Sequence, residues 1–177
     1  MGTWNAFYIK AQQDDGAVTT AVRERFPDAE IEASTQFVGI RMKDDAFEAP
    51  ESDLSALSAR LDTDVIWLSF QSTVDAFQFH HWRAGKRVRA LVYGCFQEER
   101  MWERAEGEPE PWEREVFFSR RGLEHLLKYA GSELEREELQ RIWRQAEILP
   151  DRTEPGLDSR GCAHKIAAHY QFPHYGL

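Results

Sequence analysis

A chain of 177 residues suits one domain, or one domain with an appended helical part, and can bury roughly 70% of the surface its unfolded form exposes. Its 42% hydrophobic and 12% aromatic residues, six tryptophans among them, exclude a disordered chain, so the mean hydropathy of -0.61 reflects surface charge. An excess of 31 Asp and Glu over 22 Lys and Arg gives a formal charge of -9, which opposes nonspecific attraction to nucleic acid or anionic lipid.

The first ten residues turn polar at once, without a basic segment leading into a long apolar one, and no window approaches eighteen apolar residues. A soluble, cytoplasmic chain is expected. Trp4 to Ala11 reads as a strand, followed by a helix capped by Asp14 or Asp15, with Val18, Val22 and Phe26 at four-residue spacing and Pro27 as its stop. Ala29 to Ala33 and Gln36 to Met42 are short strands, and Lys43 to Pro50 is an acidic spacer. Ser52 or Asp53 caps a second helix with the stripe Leu54, Leu57 and Leu61, and Asp64 opens the strand Val65 to Phe70.

The densest run of β-branched and aromatic residues comes next and forms a hairpin, Thr73 to Arg83 and Lys86 to Phe96, reversing at Ala84-Gly85. A two-residue turn there sets Trp82 opposite Arg87, His80 opposite Arg89 and Phe77 opposite Val92. One face then carries Phe77, Phe79, His81, Val88, Ala90 and Val92, and the other Gln78, His80, Trp82, Arg87, Arg89, Leu91 and Tyr93. A third strand, Met101 to Ala105, returning through Gln97 to Arg100, adds Trp102 and Arg104 beside Tyr93 and Cys95. The expected result is an aromatic and basic face on an acidic protein.

Gly107 to Pro111 marks a boundary, and Trp112 to Phe118 reads as a last edge strand, closing a sheet domain over residues 1–118. A helical segment, 119–177, packs on it. Ser119 caps a helix with Leu123, Leu126, Leu127 and Ala130, which Gly131 ends. Ser132 with Glu135 caps the next, whose stripe is Leu139, Ile142, Trp143 and Ala146. A final helix from about Asp158 turns Ala163, Ile166, Ala167 and Tyr170 inward. The order strand, helix, strand, strand, helix, strand resembles the split βαβ layout of ferredoxin-like folds, here an α+β antiparallel sheet extended by a β-meander.

The binding surface this predicts is His80, Trp82, Arg87, Arg89, Tyr93, Trp102 and Arg104, a set of flat apolar rings, forked donors and one titratable imidazole suited to an anionic small molecule or an acidic protein. Against it stands a cover of acidic helices, with Glu133, Glu135, Glu137 and Glu138 pairing with the arginines. His81 belongs to the core set. Cys162, His164, His169 and His174 have the wrong helical spacing to share an ion, so neither metal nor cofactor is expected. Cys95 lacks an assignable base, the glutamates from Glu98 to Glu115 read as a solvated face, and no phosphate loop, nucleophile elbow or metalloprotease helix occurs. The chain is therefore read as a binding module. The alternative is a small enzyme with His80 as acid/base in a pocket between the sheet and the C-terminal helices. A homodimer through sheet edges or through the 112–118 strand is compatible with either.

Overall fold

The structure, a computed structural model, describes residues 3–11, 15–43, 46–94, 100–152 and 157–173. The expectations placed on Asp14, Cys95, Gln97, Glu98 and His174 lie outside the described residues. Strands β1 (Thr3–Lys10), β2 (Glu30–Glu32), β3 (Phe37–Arg41), β4 (Asp64–Gln71), β5 (Ala76–Arg83), β6 (Lys86–Tyr93) and β7 (Trp102–Gly107) join in one open antiparallel sheet of seven strands. Their spatial order is β2-β3-β1-β4-β5-β6-β7, so β1 lies between β3 and β4. Helices α1 (Asp15–Arg25) and α2 (Glu51–Leu61) follow β1 and β3, and α3 (Glu113–Phe117), α4 (Arg120–Tyr129), α5 (Glu133–Gln145) and α6 (Ser159–Tyr170) follow β7. The class is α+β.

Strands β1 and β4 read as nearly unbroken apolar runs because both of their faces are buried. Phe7, Ile9, Val65 and Trp67 form a core with Val18 and Val22 of α1 and Leu54 and Leu57 of α2. Tyr8, Ile66, Leu68, Phe77 and Phe79 form a second core with Trp112, Phe117, Trp143 and Ile166 from the C-terminal helices. The sheet thus has a front face under α1 and α2 and a back face under α3 to α6. Among the described residues no helix is long and apolar enough to cross a membrane.

Two local expectations change. Helix α2 starts at Glu51 behind Pro50, one residue or more before Ser52 and Asp53, with no side-chain cap. Trp112 to Phe118 is not an edge strand, because Glu113 to Phe117 is helical and turns Glu113, Val116 and Phe117 inward. The outer edge of β7 is already engaged at Trp102, whose N–H donates to the Arg152 carbonyl at 2.9 Å while its carbonyl accepts from Asp151 at 2.8 Å.

The later helix starts agree with their sequence signals: Ser119 accepts from the Gly122 N–H, Ser132 from Glu135, and Asp158 from Gly161. At the last of these, a Cβ on Gly161 would stand 2.3 Å from Asp158 Oδ2, so the cap and the glycine come as a pair. Asp158→Ala is expected to cost about 1 kcal/mol and to lower the melting temperature by about 2–4 °C, measurable by circular dichroism.

Candidate functional site

The hairpin turn is as expected: Ala84 and Gly85 both have positive φ, 47° and 80°, and Arg83 pairs with Lys86 and Trp82 with Arg87. Beyond that point the register moves by one. His81 lies opposite Arg89, His80 opposite Ala90, Gln78 opposite Val92 and Phe77 opposite Tyr93, which leaves Val88 as the extra residue of a bulge. A second shift sets Val92 opposite Arg104 and Tyr93 opposite Trp102, with Glu103 as the extra residue. Because side chains alternate between faces, each one-residue step sends the rest of its strand to the other side. The seven predicted residues therefore do not share a surface. His80, Trp82, Arg87 and Arg104 belong to the front, whereas Arg89, Tyr93 and Trp102 belong to the back.

On the back, these residues hold the fold together. Arg89 is buried, and its Nε and Nη2 donate to the two carboxylate oxygens of Glu113 at 2.7 and 2.6 Å, while Nη1 donates to the Gly107 carbonyl at 2.8 Å. Tyr93 and Trp102 pack edge to face, and Trp102 does the same with Phe117. Beside them His81 bridges Asp64 (3.0 Å from Nε2) and Glu110 (2.5 Å from Nδ1), and Tyr170 donates to the other Glu110 oxygen at 3.2 Å. Burial alone would lower the His81 pKa, but hydrogen bonds to two carboxylates override it and raise it, since only the imidazolium can donate from both nitrogens. The Asp64 carboxyl is held well below the usual range, chiefly by that bond to His81, with Arg83 assisting against burial. The partner of Arg89 thus comes from α3, not from the glutamates of α5. Glu138 pairs with Arg141, and Glu135 accepts from the Gly131 N–H.

On the front, an opening lies beside His80. A cleft of about 210 Å³ lies between the outer strands, through Gln78, His80, Val92, Glu103 and Arg104, and the segment entering α2, through Glu48, Ala49 and Glu51. At its wall Glu51 is clamped by two guanidiniums, Arg87 and Arg104, the latter donating from Nη1 at 2.8 Å. Burial would raise the Glu51 pKa, yet Arg104, His80 and Arg87 together lower it. Arg87 also reaches Glu106 at 2.6 Å. His80 forms the cleft's inner end, stacked on Trp82 with ring centroids 5.6 Å apart and planes at 11°. Its side chain is only 2% exposed, and among the described residues neither ring nitrogen has a hydrogen-bond partner and the nearest carboxylate oxygen, Oε1 of Glu51, is 3.9 Å from Nδ1. Burial pushes its pKa down to about 4; Glu51 opposes this and the two arginines add to it. At neutral pH His80 is a neutral ring with one donor and one acceptor to offer.

The pocket envisaged between the sheet and the C-terminal helices is thus displaced. A cleft holding His80 and carboxylates exists, but it opens on the face away from those helices. Glu48 and Glu51, absent from the predicted set, sit in or beside what sequence reads as an irregular acidic spacer, and nothing local marks them as partners of residues thirty to fifty positions later. On α6, Cys162 is buried while His164 and His169 are exposed, and among the described residues no three His, Cys, Asp or Glu side chains are grouped to hold a metal ion. No protein-family model, curated protein or solved structure matches the chain.

Proposed function

We propose that this chain is a small-molecule binding protein whose site is the His80 cleft, and that its ligand is a compact molecule, neutral or cationic, rich in N–H or O–H donors. The observation that carries this is the buried imidazole, both of whose nitrogens lack a partner among the described residues. A polar group left so costs about 1–3 kcal/mol, and buried polar atoms in folded proteins are rarely without a partner. A ligand hydroxyl or amine entering the cleft removes that cost. The surrounding charge favours a donor: Glu48, Glu51 and Glu103 outnumber Arg87 and Arg104, and both arginines already hold Glu51. An anionic ligand or acidic partner would have to displace Glu51 from that clamp. A proton-transfer role for His80 is the second reading, favoured by Glu51 at 3.9 Å, but a ring held near 4 is a weak base at neutral pH. The order β2-β3-β1-β4 supports a ferredoxin-like first half, which makes β5 to β7, and the cleft they carry, an addition to that core.

His80→Phe tests the proposal. A phenyl ring keeps the stack on Trp82 and removes two unpaired nitrogens, so the variant is expected to be more stable than the wild type by about 1–2 kcal/mol. A thermal-shift panel of small amines, amides and guanidines, with carboxylates and phosphates as the counter-panel, should contain compounds that stabilise the wild type and leave His80→Phe unmoved. Stabilisation by anions alone would overturn the ligand class. A panel in which no compound separates the two proteins would overturn the site.

A further inference from the structure

The back face carries a larger and chemically different cavity, of about 470 Å³, within the range of sites that enclose small molecules. It lies between α4 and α6. One stripe of α4, Gly122, Leu126 and Tyr129, faces one stripe of α6, Asp158, Cys162 and Lys165, at helical spacings of three, four and seven. Phe117 and Trp143 close it from the side of the sheet and of α5.

Two features point to an occupant. The first is incomplete burial: α4 is strongly amphipathic, yet none of its residues is fully buried, and Leu126 remains partly exposed although it packs toward the back core. The second is charge. The cavity's one lining carboxylate, Asp158, is engaged by the Gly161 N–H at 2.9 Å, while Lys165 lies on the exposed side of α6 and makes no ion pair with a described residue.

We propose that this cavity binds an amphipathic carboxylate, an acyl chain of medium length lying between α4 and α6 with its carboxylate on the Lys165 ammonium. The apolar walls take the chain, whose burial supplies about 0.8 kcal/mol per methylene, and the single cation at the mouth selects the head group. This site stands apart from the His80 cleft, and neither proposal depends on the other.

Decanoate, decanol and decylamine, each below its aggregation limit, form a matched set of probes for calorimetric titration against the full chain. The expected order of affinity is decanoate, then decanol, then decylamine. Lys165→Gln, at an exposed position, should fold normally, bind decanoate about tenfold more weakly and bind decanol unchanged. Leu126→Trp, which fills the cavity, should lose all three, and His80→Phe should lose none. Undiminished decanoate binding by Lys165→Gln overturns the head-group assignment, and with it the proposal. Failure of all three probes to bind the wild type does the same.

Discussion

Arg89→Ala is expected to lower the unfolding free energy by about 3–5 kcal/mol, as removal of one partner from a buried ion pair does elsewhere. Arg89 and Glu113 are each about 3% exposed. The guanidinium makes a two-pronged contact to the carboxylate and satisfies carbonyls of Glu106 and Gly107 at 3.3 and 2.8 Å. Without it, Glu113 keeps the Glu110 N–H at 2.8 Å but loses its counter-charge, in a site where water does not replace it. Glu113→Ala should cost a similar amount, since it strands the arginine. The double variant Arg89→Met, Glu113→Leu should recover most of the loss, because two apolar side chains of similar volume need no desolvation of charge. Urea unfolding of these proteins and of the double variant Arg89→Ala, Glu113→Ala, with the slope held in view, gives the coupling directly. Single variants that each lose under about 1 kcal/mol would mean the pair is effectively solvated and that β7 and α3 are held by packing alone.

The same pair explains why the binding face read from sequence does not exist. A two-residue turn at Ala84-Gly85 specifies the register only as far as the ladder stays regular, and the pairing it predicts holds at Trp82 and Arg87. One step later the bulge at Val88 re-aims Arg89 from the front to the back, where Glu113 waits. Gly107 is part of this device: its φ is +84°, and a Cβ there would lie 1.9 Å from the Val88 carbonyl oxygen, so only glycine lets β7 approach the bulge. Sequence displays the glycine but not the strand it must approach, so Gly107 reads as the start of a linker. Val88 carries no mark at all, because a bulge arises from the fit between two strands and not from the residue that bulges.

Periods and caps account for the legible part. The strand and helix order through β6, the apolar stripes of α1, α2, α5 and α6, and the caps at Ser119, Ser132 and Asp158 are local patterns, and they hold. Trp112 to Phe118 misleads because an alternation of bulky residues over so short a span does not distinguish a strand from one and a half helical turns; the buried partner of Glu113 decides it, and that partner is 24 residues away. The candidate site was half visible. His80, Trp82, Arg87 and Arg104 lie on one face of the sheet, but the carboxylate beside them, Glu51, is the first residue of α2, 36 and 53 residues away from Arg87 and Arg104.

The second large effect is on pH. His80 and His81 are adjacent in sequence and oppositely perturbed, so stability should peak near the ordinary histidine pKa of about 6.5, with one residue responsible for each side. For His80 the folded value lies below the unfolded one. As pH falls from about 6.5 toward 4 the unfolded chain takes up a proton that the folded chain refuses, and stability drops by about 3 kcal/mol over that span. For His81 the folded value is raised by Asp64 and Glu110. Its contribution is complete below about 6.5 and is lost as pH climbs through the raised value, because the folded chain must then release a proton that the unfolded chain has already shed. Asp64 and Glu110, both lowered, add their own loss only below about 4.5, which leaves the span between that value and 6.5 to His80. Urea unfolding between about pH 4.5 and 9 should therefore give a dome for the wild type. His80→Phe should flatten the acid limb and keep the alkaline one, whereas His81→Gln should be less stable throughout and lose the alkaline fall. If His80→Phe leaves the acid limb as steep as before, the buried imidazole is not titrating in that range, and the physical ground for placing a ligand against it goes too.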